Sequence, residues 1–217
     1  MESCKICKCN TLTTIYDENY DLNYYHCENC DTIFQDESKL LKSKADEKSS
    51  YDTHNNSANC EGYVNMFREF IEKSITPLNI DFESALDYGC GPGPVLADLM
   101  KEFIPIVKTY DRIYPFSPDF DQYKYDLITS TEVFEHFNQP LKSISHILSF
   151  LKPGGHISII TQFKPSSHDE FLNWWYRRDE THITFYSIKS FEFLCDLFDL
   201  ELIYTDNKKI IVLKKPN

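Results

Sequence analysis

Apolar residues follow two different periods along this chain. From residue 61 onward, short apolar runs alternate with stretches in which apolar residues recur every three or four positions. The runs predict strands and the longer stretches predict helices. The predicted strands are residues 84–88, 105–111, 125–130 and 156–163, with a turn at 152–155, and the predicted helices are residues 61–75, 95–103, 141–151 and 187–198. Such alternation is typical of an α/β fold built on a parallel sheet.

Two features modify the expected sheet. The last two apolar runs, residues 200–205 and 208–214, are joined at Asp206-Asn207, which predicts an antiparallel hairpin and a reversed final strand. Residues 112–124 contain two prolines and no helical period, although an ordinary doubly wound domain places a helix and a further strand there. We therefore expect an abbreviated third-strand region, with a vestigial strand near residues 117–120 as its only remnant.

The beginning of the chain has a different pattern, with three short predicted strands at residues 12–16, 23–27 and 32–34. One Cys-x2-Cys pair precedes these strands and a second lies at the end of the second strand, which is the spacing of a closed, four-thiolate structural zinc site in a zinc ribbon. The preferred zinc ligands are Cys4, Cys7, Cys27 and Cys30. Two nearby residues, Cys9 and His26, are alternative ligands. The remaining interpretation is a cluster of reduced thiols without a metal.

A polar segment separates this beginning from the α/β part. Residues 37–60 are charged and poor in large apolar side chains, which predicts a linker with one short helix at most and a solvated His54. The predicted organisation is therefore a zinc ribbon at residues 1–36, the linker, and an α/β domain at residues 61–217.

Composition narrows the choice of partners and compartment. The 217 residues are 41% hydrophobic and carry a net charge of −12, which disfavours non-specific binding to nucleic acid or to an anionic membrane and leaves only a local RNA-binding patch open. No window approaches the roughly 20 apolar residues of a membrane span, and the start lacks a signal-peptide core. We expect a cytoplasmic protein whose eight cysteines stay reduced.

The strand at residues 84–88 leads into a glycine-rich turn. Asp87 precedes three glycines at alternate positions, Gly89, Gly91 and Gly93, and Pro94 opens the next helix. Such a turn leaves backbone N–H groups open at a helix start, where they bind a polar ligand. A dinucleotide-binding fingerprint has a small residue where this chain has Pro94, so the pattern argues against a dinucleotide.

An acidic residue follows the next strand at the expected distance. Asp111 lies 18 residues after Gly93 and ends the strand at residues 105–111. In α/β nucleotide folds a carboxylate at this position accepts hydrogen bonds from two ribose hydroxyls. The usual adenine-binding acidic position has no clear match, because it follows the abbreviated strand. Asp119 and Asp121 are candidates there, and Phe116 is an alternative that would cover the adenine ring.

Candidate chemistry lies in two places, after the strand at residues 125–130 and in an insertion at residues 164–187. The first contains Glu135 and His136 in the run TEVFEH, and a purely structural capping role is the alternative for His136. The second contains His182, the preferred general base because imidazole titrates near neutral pH. The insertion also carries aromatic and basic side chains, namely Trp174, Trp175, Tyr176 and Arg177. They predict a lid over the substrate. The alternative is that the tryptophans only pack the insertion onto the rest of the α/β domain.

These motifs together resemble class I S-adenosylmethionine (SAM) methyltransferases with an N-terminal zinc-ribbon-like domain. More closely, the chain is similar to a bacterial group of small methyltransferases that share the paired Cys-x2-Cys start, LDYGCGPGP, the shortened stretch after YD, TEVxEH and WWYxxDxTHxxFYS. The resemblance covers nearly the whole chain and implies a Rossmann-like sheet. It departs at Arg112, where the group more often has proline. The cofactor-binding residues that it implies are Tyr63, Asp87, Tyr88, Gly89, Cys90, Gly91, Gly93, Asp111, Arg112, Thr131 and Glu132.

The resemblance leaves the methyl acceptor undefined. The leading hypothesis is a SAM-dependent methyltransferase acting on a small molecule, with SAM as cofactor and zinc as a structural metal. A methyltransferase that docks RNA or protein through the zinc ribbon is the first alternative, and a non-catalytic SAM-binding protein is the second. Nothing in the sequence indicates the oligomeric state.

Overall fold

The computed structural model describes residues 3–40, 48 and 61–217. The strands of this part are β1 (Thr13–Asp17), β2 (Leu22–Cys27), β3 (Thr32–Gln35), β4 (Ser84–Tyr88), β5 (Ile106–Tyr110), β6 (Tyr125–Thr131), β7 (Leu151–Ile160), β8 (Thr184–Phe185), β9 (Glu201–Thr205) and β10 (Ile210–Lys214). The α-helices are α1 (Glu61–Ser74), α2 (Val95–Met100), α3 (Pro140–Ser149), α4 (His168–Asn173) and α5 (Ile188–Phe198).

The larger sheet has the order β5-β4-β6-β7-β10-β9. Strands β5, β4, β6 and β7 run parallel, and β10 pairs antiparallel with both β7 and β9. Strand β4 is buried along its whole length, as expected for a central strand covered on both faces. The α/β fold with a reversed terminal strand is therefore confirmed.

Helices cover this sheet through apolar faces. In α1, Phe67 and Phe70 are buried, and both belong to a core cluster with Leu96 and Met100 of α2. Helix α1 stops just before a short 3-10 turn that contains Pro77. Helix α5 begins with a reciprocal cap in which the side chains of Ser187 and Ser190 each bond the other's backbone N–H.

Strand β7 is longer than predicted, because residues 152–155 belong to the strand and do not form a separate turn. The pairing with β6 shifts register here, from Tyr125 opposite Leu151 to Leu127 opposite His156. The backbone of residues 154–155 bonds Lys215 beyond β10. These partners hold the extra residues within the sheet as a bulge in which Gly154 has φ +73°.

The abbreviated third-strand region is present as predicted, since β5 is the edge strand and residues 112–124 add no strand to the sheet. The vestigial strand expected near residues 117–120 is therefore wrong. The N–H and hydroxyl of Ser117 bond Thr109 of β5, and a 3-10 turn follows at Phe120–Gln122. Two prolines remove the donors that a paired edge strand would need.

The three N-terminal strands form an antiparallel sheet, and β8 from the late insertion adds a fourth strand to it. Ile33 lies opposite Phe185, and Phe34 opposite Thr184. The sequence did not predict this strand or helix α4, because β8 is only two residues long. The zinc-ribbon region and the insertion therefore share one sheet.

A buried ion pair reinforces this connection. Arg177 Nη1 lies 2.5 Å from Asp17 Oδ2 at the end of β1, and both side chains are almost fully buried. A second pair joins Lys164 to Asp31 at 2.8 Å. Buried charges are found with partners because isolated ones are costly, so these pairs fix the insertion against the ribbon.

Most of the predicted linker, including His54, lies outside the described residues. No helix in the described part of the chain is long and apolar enough to cross a membrane. The boundaries at residues 36 and 60 stay predictions.

Candidate functional site

A cleft of about 1100 Å³ opens where β4, β5 and β6 end. Ligands bind at this edge in open α/β sheets. Small-molecule pockets measure roughly 300–1,000 Å³, so this cleft has room for a cofactor and a second molecule. Every residue predicted to bind the cofactor, from Tyr63 to Glu132, lines it.

The loop after β4 needs glycine because its backbone is left-handed and crowded. Gly89 has φ +87° and Gly91 has φ +65°, and a Cβ on Gly89 would lie 2.3 Å from Cγ2 of Val133. The N–H groups of Gly89 and Cys90 donate to the carbonyl of Tyr110 at 2.7 and 3.2 Å. The loop is thereby held between the ends of β4 and β5.

Asp111 forms the wall of the cleft next to this loop. Its Oδ2 accepts the N–H of Gly91 at 3.0 Å, and its Oδ1 accepts the N–H groups of Ile113 and Tyr114 at 2.7 and 3.0 Å. These bonds fix the carboxylate at the end of β5, where the predicted ribose contact requires it.

Asp87 lies at the floor of the cleft and is 2% exposed. Burial, together with the charge of Asp111, raises the pKa of Asp87 to about 7. The hydroxyl of Thr129 donates to Asp87 Oδ1 at 3.1 Å. Burial, with a smaller contribution from Asp87, also raises the pKa of Tyr63 to about 12, so the phenol stays neutral.

Aromatic side chains line the part of the cleft next to Asp111. The rings of Tyr88 and Tyr110 lie 4.7 Å apart, and the Tyr88 hydroxyl is 3.0 Å from His146 Nδ1. The structure does not bring Phe116 to the cleft, because its ring packs on Tyr110 and Phe120. Sequence reasoning missed Ile113, Tyr114, Lys142, Ser143 and His146, which no motif marks.

The alternative acidic candidates for adenine are also outside the cleft. Asp119 pairs with Lys108 of β5 at 2.7 Å, and Asp121 is exposed. The residues that replace the abbreviated strand therefore brace β5, while Ile113 and Tyr114 contribute to the cleft wall.

Two glutamates lie in the turn after β6. Glu132 has φ +55°, an uncommon conformation for a non-glycine residue and one that often marks a functional site. Its Oε2 accepts the hydroxyl of Tyr176 at 2.8 Å. Glu135 is fully buried beneath it, and its Oε2 accepts the hydroxyl of Thr161 at 2.8 Å.

Burial changes the acidity of both carboxyl groups. It raises the pKa of Glu132 to about 8, with a further contribution from the charge of Glu135, and it raises the pKa of Glu135 to about 7. At neutral pH the pair therefore holds a proton that ordinary glutamates would release.

His136 and His182 meet beside these glutamates, with ring centroids 4.8 Å apart. His136 Nδ1 lies 2.9 Å from the carbonyl of Thr181, and His182 Nδ1 lies 2.7 Å from the carbonyl of Tyr176. A carbonyl only accepts, so each Nδ1 carries the proton and each Nε2 carries the lone pair in the neutral ring. Burial lowers the pKa of His136, which favours this neutral form.

The insertion contributes only part of its predicted substrate set. Trp175 and Tyr176 line the cleft, together with Arg178, the second arginine of the same insertion. Trp174 packs on Phe171, Tyr176 and Phe185, and Arg177 is the buried partner of Asp17. The structure therefore does not bring Trp174 or Arg177 to the cleft, which favours the packing alternative for these two residues.

The predicted zinc ligands converge at one end of the ribbon. The sulfur atoms of the four cysteines all lie within 4.8 Å of one another: Cys4, Cys7, Cys27 and Cys30. Two of the separations are 3.5 Å (Cys4 to Cys30) and 3.3 Å (Cys7 to Cys27). Zinc–thiolate bonds of about 2.3 Å in a tetrahedron separate the sulfurs by about 3.8 Å, so the cluster fits a zinc ion.

The sheet order with its reversed last strand, and the glycine loop and Asp111 at its ligand edge, define a class I SAM-dependent methyltransferase. Residues 51–205 match the family model described as a methyltransferase domain, and the chain belongs to that family.

Comparison with individual proteins agrees with this class. A malonyl-[acyl-carrier protein] O-methyltransferase of Porphyromonas gingivalis is 31% identical over 108 residues, and the match covers 41% of this chain and 41% of that relative. The chain thus spans well under half of that curated relative.

Solved structures share the fold at low identity. The plantazolicin methyltransferase BpumL, in complex with a monoazolic analogue and SAH, has a TM-score of 0.52 and 17% identity over 80% of this chain and 90% of that chain. A chain from a complex between the Haloferax volcanii Trm112 methyltransferase activator and a methyltransferase has a TM-score of 0.51 and 16% identity, covering 80% of this chain and 95% of that chain.

Proposed function

We propose that the protein transfers the methyl group of SAM to a small acceptor molecule inside the cleft. The observation that carries this proposal is the continuity of the cleft, which joins the glycine loop to the turn with Glu132 and His136 and to the insertion. The cofactor and an acceptor can therefore meet in one continuous cleft.

On the cofactor side of the cleft, we assign each group of lining residues a proposed role. The loop at Gly89 and Gly91 holds the methionine part, and Asp111 binds the ribose hydroxyls. Thr131 and Glu132 face the reacting end of the cofactor, and Tyr63 covers it from α1. The left-handed glycine conformations and the fixed Asp111 carboxylate support these assignments.

The acceptor side is formed by Trp175, Tyr176 and the two histidines. When bound, SAM supplies a methyl group that its sulfonium already activates. The chain's own task is to align the acceptor with that methyl group and to take up a proton when the acceptor atom carries one. The lone pair on Nε2 of His182 or His136 supports this role.

A small acceptor agrees with the charge and with the cleft. The net charge of −12 opposes a nucleic acid partner. The cleft volume left beside a cofactor suits a compact molecule. The name of the Porphyromonas gingivalis relative specifies an oxygen acceptor, and we extend that chemistry to this chain as part of the proposal.

A structural zinc ion held by Cys4, Cys7, Cys27 and Cys30 completes the proposed function. The short sulfur separations and the N–H of Ile6, which donates to Cys4 Sγ at 3.4 Å, support it. The zinc would stabilise the ribbon, which in turn supports the insertion that borders the acceptor.

Two variants test the cofactor and acceptor sides separately. Asp111→Ala should weaken SAH binding by about 10- to 100-fold in calorimetry, because bonds to a charged group contribute about 1.5–3 kcal/mol. Exposed Asp121→Ala is the matched control. His182→Ala should keep SAH affinity but reduce methyl transfer from labelled SAM to a metabolite extract by about 100-fold. Unchanged SAH affinity in Asp111→Ala would overturn the ribose assignment.

A further inference from the structure

Two histidines at the acceptor end of the cleft form, with the fully buried Glu135, a compact group that proton transfer alone does not require. Glu135, His136 and His182, here called the Glu–His–His cluster, each place one ligand atom within 4.8 Å of the others. Glu135 Oε1 lies 3.7 Å from His136 Nε2. Metal bonds of about 2.1 Å separate neighbouring ligand atoms by about 3–3.5 Å, so small side-chain rotations would close the cluster on an ion.

The histidines are held in the tautomer that binds metals. Each Nδ1–H donates to a backbone carbonyl, of Thr181 for His136 and of Tyr176 for His182, which leaves the lone pair on Nε2. Metal-binding histidines almost always donate their other N–H to a carbonyl or carboxylate in this way. Both rings therefore already have the orientation and tautomer of metal ligands.

Glu135 provides an independent indication. Its side chain is fully buried, and Oε1 accepts no hydrogen bond from any described residue, whereas Oε2 accepts one from Thr161. Leaving a buried carboxylate oxygen without a partner costs stability. A cation bound to Oε1 would remove that cost.

We propose that the Glu–His–His cluster binds a divalent transition-metal cation, and that an oxygen atom of the acceptor completes its coordination. Two imidazoles and a carboxylate suit ions such as Mn²⁺, Fe²⁺ or Zn²⁺ better than Ca²⁺. Three protein ligands leave coordination positions open, as in catalytic metal sites. This inference rests on the proposed methyl transfer and specifies its substrates as small molecules with a coordinating hydroxyl or carboxylate.

The cation would change how the acceptor becomes a nucleophile. Coordination lowers the pKa of a bound O–H group, so its proton leaves to solvent. The oxygen then forms a bond to the methyl carbon while the carbon–sulfur bond breaks and its electron pair stays on sulfur. His182 is in this case a ligand and no longer the group that takes the proton.

The test measures Mn²⁺ binding to the full chain after one equivalent of zinc per chain has been added, which the four ribbon thiolates take up in preference to the Glu–His–His cluster. The loss of the free Mn²⁺ resonance signal should give one site per chain. His182→Ala and Glu135→Gln should each weaken that site about tenfold or more. His146→Ala, which removes a cleft histidine outside the cluster, should leave it unchanged, and thermal melting checks that every variant is folded.

Calorimetry with SAH separates the two proposals. No Mn²⁺ site in the wild type, or equal Mn²⁺ affinity in His182→Ala and His146→Ala, would overturn the metal proposal. SAH binding would then still support the cofactor side. Normal Mn²⁺ binding with no SAH binding would instead overturn the proposed methyl transfer while the metal site remained.

Discussion

Replacing Arg177 tests whether the insertion is fastened to the ribbon by a buried charge pair. Arg177 and Asp17 are 4% and 2% exposed, and Arg177 also donates to the carbonyls of Phe171 and Leu172. Arg177→Ala would leave the Asp17 carboxylate buried without its cation. Removing one partner of a buried pair typically costs about 3–5 kcal/mol, so the free energy of unfolding should fall by that amount.

The assay is urea denaturation of the zinc-loaded protein, followed by circular dichroism. Lys101→Ala is the matched control, because Lys101 pairs with Asp98 at a similar 2.8 Å but both side chains are more than half exposed. That change should alter stability by less than about 1 kcal/mol. The double variant Asp17→Asn with Arg177→Met should recover part of the loss, since it leaves no uncompensated charge.

A loss in Arg177→Ala no larger than in Lys101→Ala would refute the reasoning. So would an SAH affinity that falls in parallel with stability under conditions where the variant is folded. Arg177 does not line the cleft, and its effect on cofactor binding should therefore be small.

Two further predictions concern the metal and the pH dependence. Removing the proposed zinc ion with a chelator should release β3 from β8 and make the insertion cleavable by trypsin at Arg178. The affinity for SAH should change little. Unchanged proteolysis after verified zinc loss would contradict this prediction. Folding raises the pKa of Asp87 from 3.8 to about 7, so between these pH values the native state binds more protons than the unfolded state does. The stability that this group contributes is therefore present below about pH 4 and is lost as the pH rises to 7. Asp87→Asn should flatten that decline in urea titrations at several pH values, and equal slopes would count against a buried, protonated Asp87.

Local patterns in the sequence were sufficient to predict the sheet and the residues at the glycine-loop side of the cleft. The alternating strands and helices, the reversed hairpin and the missing third strand all follow from residue periodicity and from two prolines. The residues predicted to bind the cofactor line one cleft because the ends of adjacent parallel strands meet at one edge of the sheet.

The insertion side of the cleft depends on contacts between segments that are far apart in the sequence, and no local sequence pattern predicts such contacts. Strand β8 exists only because its two residues pair with β3, and residues 152–155 form a bulge in β7 because the backbone of Gly154 and Gly155 bonds Lys215. Trp174 and Arg177 carry the same sequence signal as Trp175 and Arg178, yet only the latter two reach the cleft.

The sequence by itself determined the fold class, the glycine loop, the acidic residue that follows β5 and the cysteine spacing, because each depends on residues close together in the chain. Only the tertiary structure decided that the ribbon and the insertion share a sheet and that Glu135, His136 and His182 meet. The physical reason is sequence separation: His136 and His182 are 46 positions apart in the chain, and only the packed sheet brings their ring centroids within 4.8 Å of each other.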